Sequence, residues 1–160
     1  MKIYFDFSAY SDIAIGSARL FGIKVPENFD WPYLRTNIAE FWKHWHMSLY
    51  KWLVDYVFIP LGGSRTARPR VYLNVLITML ISGLWHGAAL NFVVWGLWHG
   101  MLLMIHRLWS SWRKDRIGEP SALGKIAGWA LTFLMVNLGW AFFCMDLRTA
   151  MFFFKRLFFG

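Results

Sequence analysis

Apolar positions in this chain are gathered into long runs, and the charged residues fall between them. From Val71 to His106, between Arg70 and Arg107, 36 residues pass without Asp, Glu, Lys or Arg. A single helix of that length would extend about 54 Å, well past a hydrocarbon core of about 30 Å, so the run has to break. Gly83-Leu84-Trp85-His86-Gly87 is the predicted place, because two glycines weaken the helix there. Arg65, Arg68 and Arg70 precede the run, and Arg107, Arg113, Lys114 and Arg116 follow it. Both ends therefore read as cytoplasmic, and residues 71–106 as a broken membrane hairpin or re-entrant pair.

A second uncharged run, residues 126–145, has 20 residues between Lys125 and Asp146 and the length of one transmembrane helix. The first segment, residues 1–25, is apolar but carries Asp6, Asp12 and Arg19, whose charges must face protein, water or a counter-ion. Asp12 and Arg19 share a helix face, although two turns is a long reach for direct contact. Residues 37–56 change pattern. Ile38, Phe41, Trp42, Trp45, Leu49, Trp52, Leu53 and Tyr56 recur at three- and four-residue spacing, with Glu40, Lys43, His44, Lys51 and Asp55 largely elsewhere. Tryptophans beside lysines place such a helix at the headgroup level, ending before a Pro60-Leu61-Gly62-Gly63 loop. Ser110–Ser121 reads as a polar connector, and Ala150–Gly160 as an interfacial or interrupted segment. The fold class that follows is all-α: multi-pass transmembrane helices plus an interfacial amphipathic helix.

Composition supports that reading. Of 160 residues, 58% are hydrophobic and only 16% charged, too few charges to wet the surface of a soluble domain. The net charge of +8 comes from clusters between apolar runs, which orient membrane helices, rather than from a solvated basic face of the kind that binds nucleic acid. The lone Cys144 excludes an internal disulfide and a multi-cysteine zinc site.

Among the candidate chemical groups His86 stands out, lying deep in the uncharged run between two glycines that allow close approach. A buried neutral imidazole can accept a hydroxyl proton and act as a general base. The same position also suits a histidine that only bonds neighbouring helices. By position alone His46 is an interfacial residue on the Trp42, Trp45 and Leu49 side of its helix. His44 and His46 point to different sides, with no carboxylate or third histidine at ligand spacing, so no metal is expected. His99 and His106 read as packing residues. No phosphate loop, Gly-x-Ser-x-Gly elbow or His-Glu-x-x-His occurs, and Ser8, Ser11, Ser48, Ser64, Ser82 and Thr78 lack an adjacent base that would make a nucleophile of them.

Five ordered blocks carry a more specific signal: Tyr4-Phe5-Asp6-Phe7-Ser8-Ala9-Tyr10-Ser11-Asp12 and on to Gly16; Pro26-Glu27-Asn28-Phe29; Glu40-Phe41-Trp42-Lys43-His44-Trp45-His46-Met47-Ser48-Leu49; Tyr56 through Gly63; and Gly83-Leu84-Trp85-His86-Gly87-Ala88. Together, over about two thirds of the chain, they resemble the membrane-bound O-acyltransferases, and most closely the bacterial branch acting on alginate and teichoic acid. Ala9 stands where that family usually has Gly, and Tyr50 where Ser is common. The resemblance implies helices surrounding a buried catalytic histidine, which maps onto His86, with His46 as the second site histidine. It implies residence in the bacterial inner membrane and transfer of an acetyl or other acyl group across the bilayer to an exopolysaccharide such as alginate. The acyl donor it implies is a thioester, acetyl-CoA or an acyl carrier protein, with no tightly bound cofactor. Periplasmic acetyltransferase partner proteins and the lipid bilayer are the implied partners. Since members of the family run to several hundred residues, the chain is expected to be an interior-to-C-terminal piece. D-alanyl transfer to teichoic acid, a non-catalytic channel or export subunit, and an inactive fragment are the alternatives.

Overall fold

The computed structural model describes residues 1–116 and 118–160, and among them every regular element is helical. In chain order these are α1 (Lys2–Leu20), α2 (Ile38–His44), α3 (Met47–Leu53), α4 (Arg68–His86), α5 (Leu90–Arg116), α6 (Ala122–Cys144) and α7 (Leu147–Phe159). A 3-10 turn at Pro32–Leu34 and a wide π turn at Val54–Phe58 flank α2 and α3. By length and composition, α6 is the one helix among the described residues able to cross a membrane. The inner faces of α4 and α5 carry Asn74, Thr78, Ser82 and His99, all buried, which lowers the apolar content of both.

Local chemistry sets several of the helix starts. Asn37 Oδ1 accepts the Glu40 amide at 2.9 Å to start α2, Ser121 Oγ accepts the Gly124 amide at 3.2 Å to start α6, and Asp146 Oδ1 accepts the Thr149 amide at 3.0 Å to start α7. Each side chain satisfies a backbone donor that the first helical turn leaves free.

The single helix expected over residues 37–56 is interrupted. Trp45 is extended and His46 takes a left-handed conformation, with φ 46° and ψ 57°. The cause is a segment well upstream. Phe29 bridges Trp45 in antiparallel fashion, the Asp30 amide donates to the His44 carbonyl at 3.1 Å, and the Met47 amide donates to the Asn28 carbonyl at 2.9 Å. Asn28 Oδ1 then accepts the Ser48 hydroxyl at 2.6 Å. Backbone groups that would have continued the helix are thus paired with Asn28–Asp30, so the chain changes direction without leaving polar groups bare. The polar connector is also shorter than expected, because α5 continues to Arg116. Trp109 stacks on Trp112 at 5.0 Å, and the Arg116 guanidinium sits 5.6 Å from the Trp112 ring. These neighbours one turn apart support the added turns. Asp12 and Arg19 do not pair; Arg19 lies 3.6 Å from Glu27 instead.

The α4–α5 hairpin turns over Gly87–Ala89, after α4 ends at His86. A Cβ on Gly87 would lie 2.8 Å from the Phe92 ring, so only glycine leaves room for that ring. Further along the seam a Cβ on Gly96 would lie 2.5 Å from the Met79 carbonyl oxygen, and one on Gly100 would lie 2.9 Å from Leu76 Cδ1. Missing side chains let the two backbones touch, as in helix pairs packed within membranes. The helix α6 joins this pair through Trp98 Nε1, which donates to the Met135 carbonyl at 3.0 Å, and Asn91 Nδ2, which donates to the Phe142 carbonyl at 3.1 Å.

At the centre lies an aromatic core in which Phe41 stacks on Trp45 at 5.6 Å, Trp45 meets Trp140 at 4.9 Å, and Trp42 meets Trp95 edge-on at 5.5 Å. Tyr33 links the loop to α6: its hydroxyl accepts from Trp140 Nε1 at 2.8 Å and its carbonyl accepts from Trp129 Nε1 at 2.8 Å. Trp129 and Trp140 thus have their indole N–H groups paired, whereas the buried Nε1 atoms of Trp42 and Trp95 have no hydrogen-bond partner among the described residues. Replacing Gly96 with Val in the full-length protein should force α4 and α5 apart and cost about 1–3 kcal/mol or more, the usual price of overpacking. Thermal melting in detergent, with Gly16→Val on the open surface as the control, reads this directly.

Candidate active site

One face of α4 carries Val75, Thr78, Met79, Ser82 and His86, at the three- and four-residue spacing that aligns side chains on a helix. That face forms one wall of a cavity of about 380 Å³. The opposite wall comes from α2 and α3, and it contributes Lys43, His46 and Tyr50. Leu103 and Arg107 of α5 also line it.

The interruption between α2 and α3 brings His46 to this space. In a continuous helix His46 would follow the Trp42–Trp45–Leu49 side; the left-handed turn instead sets its ring edge-on to Phe7 at 4.7 Å and 5.9 Å from the Trp85 ring. A non-glycine residue in that conformation is uncommon and is maintained only where its surroundings impose it. His86 is seated by Trp95 at 5.3 Å and Phe143 at 4.8 Å, both edge-on. Its neighbour Trp85 is more than half exposed, at 56%. The imidazole therefore turns inward while the adjoining indole turns out.

Polar groups around the two histidines are few. Lys43 Nζ donates to Glu40 Oε1 at 2.7 Å; this bond holds the Glu40 carboxyl below its usual range and raises the Lys43 ammonium. Burial pushes His46 down to about 4, so its ring is neutral at physiological pH. A neutral imidazole offers one acceptor nitrogen and one N–H donor, the pair needed to take a proton or to bond a carbonyl oxygen. Thr78 is committed to the Asn74 carbonyl at 2.7 Å. Ser82, one turn before His86, lines the same cavity.

The other histidines lie elsewhere. His44 bonds the Glu40 carbonyl at 2.7 Å and faces Asp30. His99 is wholly buried, in edge contact with Trp42 at 4.9 Å. His106 lies 3.4 Å from the Ser110 hydroxyl. Among the described residues no group of three His, Cys, Asp or Glu side chains is placed to hold a metal ion. Ser82, Lys43, Tyr50 and Arg107 are cavity residues that the sequence reading did not single out. For Ser82 a signal existed, its four-residue offset from His86.

Residues 1–147 match the family described as MBOAT, membrane-bound O-acyltransferase family. The chain belongs to this family. Among curated relatives, a peptidoglycan O-acetyltransferase of Helicobacter pylori is 46% identical over 143 residues, covering 89% of this chain and 26% of that protein. A probable alginate O-acetylase of Pseudomonas aeruginosa is 42% identical over 142 residues, covering 89% of this chain and 26% of its own length. A teichoic acid D-alanyltransferase of Bacillus subtilis is 32% identical over 151 residues, covering 89% of this chain and 38% of that protein. The chain thus spans about a quarter of the length of the first two, at 26% each.

The depressed His46 value has a pH consequence. The unfolded chain binds this proton near pH 6.5 and the folded chain only near 4, so folding is favoured above 6.5 and that contribution is lost as pH falls toward 4. Melting temperature of the full-length protein should therefore drop across that window. His46→Gln, which cannot titrate, should flatten the drop.

Proposed function

We propose that this chain is the histidine-bearing part of a multi-pass acyltransferase of the bacterial inner membrane, one that delivers acetyl groups for O-acetylation of an exopolysaccharide such as alginate. The observation that carries the reading is the convergence of His46 and His86, forty positions apart, on one cavity. The relatives' names support an O-acetyl group and a cell-surface carbohydrate acceptor. The 71–106 run with cations at both ends, and the apolar α6, support several crossings of the bilayer. Periplasmic acetyltransferase partners would receive the acetyl group and pass it to the polymer.

In this mechanism an acceptor hydroxyl enters beside His86. Its oxygen attacks the carbonyl carbon of an acyl thioester, such as acetyl-CoA or an acyl carrier protein, while the imidazole takes the hydroxyl proton. The tetrahedral intermediate then collapses, the C–S bond breaks, and the proton passes from His86 to the departing sulfur. An ester and a free thiol result. The N–H of His46 bonds the carbonyl oxygen as charge develops on it, an interaction stronger in the transition state than before it. General base catalysis of this kind contributes about 10²–10⁴ in rate.

A second acyl group, D-alanine delivered to teichoic acid, is favoured by the teichoic acid D-alanyltransferase relative, although at lower identity than the O-acetylating ones. His86→Ala in the full-length protein should reduce polymer O-acetylation at least a hundredfold, measured as ester acetate released from the isolated polysaccharide. His46→Ala should also lose acetylation, by about a hundred- to a thousandfold. Polymer export should continue in both, whereas a channel or export subunit would show the opposite: normal acetylation per chain and failed secretion.

A further inference from the structure

His99 is wholly buried, yet it lines neither wall of the histidine cavity. It sits on α5 where that helix meets α2 and α6. Its ring contacts Trp42 of α2 edge-on at 4.9 Å, Trp95 one turn earlier on α5 at 5.1 Å, and Trp140 of α6 at 6.2 Å. Trp42 and Trp95 meet at 5.5 Å, which closes a triangle of three rings. A Cβ on Gly139 would lie 2.6 Å from His99 Nε2, so α6 omits a side chain where the imidazole fits. Neither nitrogen of His99 has a hydrogen-bond partner among the described residues, and the buried Nε1 atoms of Trp42 and Trp95 have none either. The indoles of Trp98, Trp129 and Trp140, by contrast, all donate to an oxygen. Four of the seven buried side-chain polar atoms without a partner thus meet in one triangle, which points to a shared ligand rather than four separate losses.

The chemistry of the three rings selects that ligand. An indole N–H only donates, while an uncharged imidazole has one N–H and one acceptor nitrogen. The triangle therefore presents three donors and one acceptor. A carbonyl oxygen or an anion would take the donors and leave the acceptor nitrogen bare. A water oxygen accepts from two N–H groups while one of its hydrogens goes to the ring nitrogen, and about three such partners is the usual number for a water buried in a protein. Ring centres 4.9, 5.1 and 5.5 Å apart suit a bridge of this kind, with no two ring nitrogens bonded directly.

We infer that His99, Trp42 and Trp95 bind one buried water between α2 and α5, and that this node positions the two walls of the histidine cavity. Trp42 lines that cavity from the α2 side. Trp95 seats His86 at 5.3 Å. His99 touches both indoles without reaching the cavity, so it is a positioning residue: it fixes the tilt of Trp95 against His86 and of Trp42 against the space where the acyl group reacts. A misplacement of about 1 Å that begins away from the chemistry can cost about a hundredfold in rate. The water site stands on the ring geometry alone, whereas its effect on rate rests on the acyltransfer reading above.

A density map of the full-length protein in nanodiscs, at a resolution that shows ordered waters elsewhere in the molecule, tests the site. Density is expected within about 3.2 Å of a His99 ring nitrogen and of at least one of the two indole Nε1 atoms. No density there, or indole N–H groups aimed at ring faces instead, overturns the proposal. The positioning role is tested with His99→Phe and with His99→Gln, which keeps a donor and an acceptor. His99→Phe should melt below the wild type, because it evicts the water and leaves both indole N–H groups bare. Its kcat for O-acetylation should fall about ten- to a hundredfold with KM little changed. His99→Gln should recover a large part of both. A histidine that only packs would behave in the opposite way: His99→Phe would remove two unpaired nitrogens and melt at or above the wild-type temperature. That result overturns the water node, and a normal kcat in His99→Phe overturns the positioning role whatever its melting temperature. If His99→Phe does not fold, the map decides alone. Failure of the acyltransfer reading shows differently, as acetylation that survives His86→Ala while the water and the melting results stand.

Discussion

The backbone pairing between Asn28–Asp30 and His44–Met47 is the constraint on which the site depends. Without those hydrogen bonds, nothing would oppose continuation of α2 into α3, and the helical spacing of Ile38 through Leu53 favours such continuation. The bridge sets Trp45 into the aromatic core, where it stacks with Phe41 and Trp140. It sets the next residue, His46, into the cavity. One interruption thus serves the core and the cavity at once, because an extended Trp45 followed by a left-handed His46 sends the two adjacent side chains in different directions.

What the sequence made legible was local. The uncharged run of residues 71–106 and the glycines inside it contain their own reason to break, and α4 does end at His86. The apolar stretch of α6 needs no partner to be read. The interruption at Trp45–His46 was hidden because its cause lies in Asn28–Asp30, about fifteen residues earlier, and because α2 and α3 keep apolar residues at helical spacing on either side of it. The extension of α5 was hidden for a related reason: a polar Ser110–Ser111 pair reads as loop until Trp109, Trp112 and Arg116 are seen to stack.

The candidate site shows the same division. Both histidines could be picked out by their blocks, and periodicity from His86 leads back to Ser82 and Thr78. That Lys43 and Tyr50 of the facing helices share the cavity is a fact of tertiary packing. Arg107 carried meaning in sequence only as a topogenic charge. In three dimensions it lines the cavity that holds both histidines and donates to the Ser64 hydroxyl, which no spacing rule could anticipate.

The glycine seam between α4 and α5 has a mechanical consequence. Where backbones touch at Gly96 and Gly100, no rotamer can change to let one helix slide past the other. The pair is therefore the stiff wall of the cavity, carrying His86 on α4 and Arg107 on α5. The facing wall has no such seam: there α2 and α3 meet at a bend fastened by a few hydrogen bonds to Asn28–Asp30. The same bend that presents His46 is thus the natural hinge of the chamber.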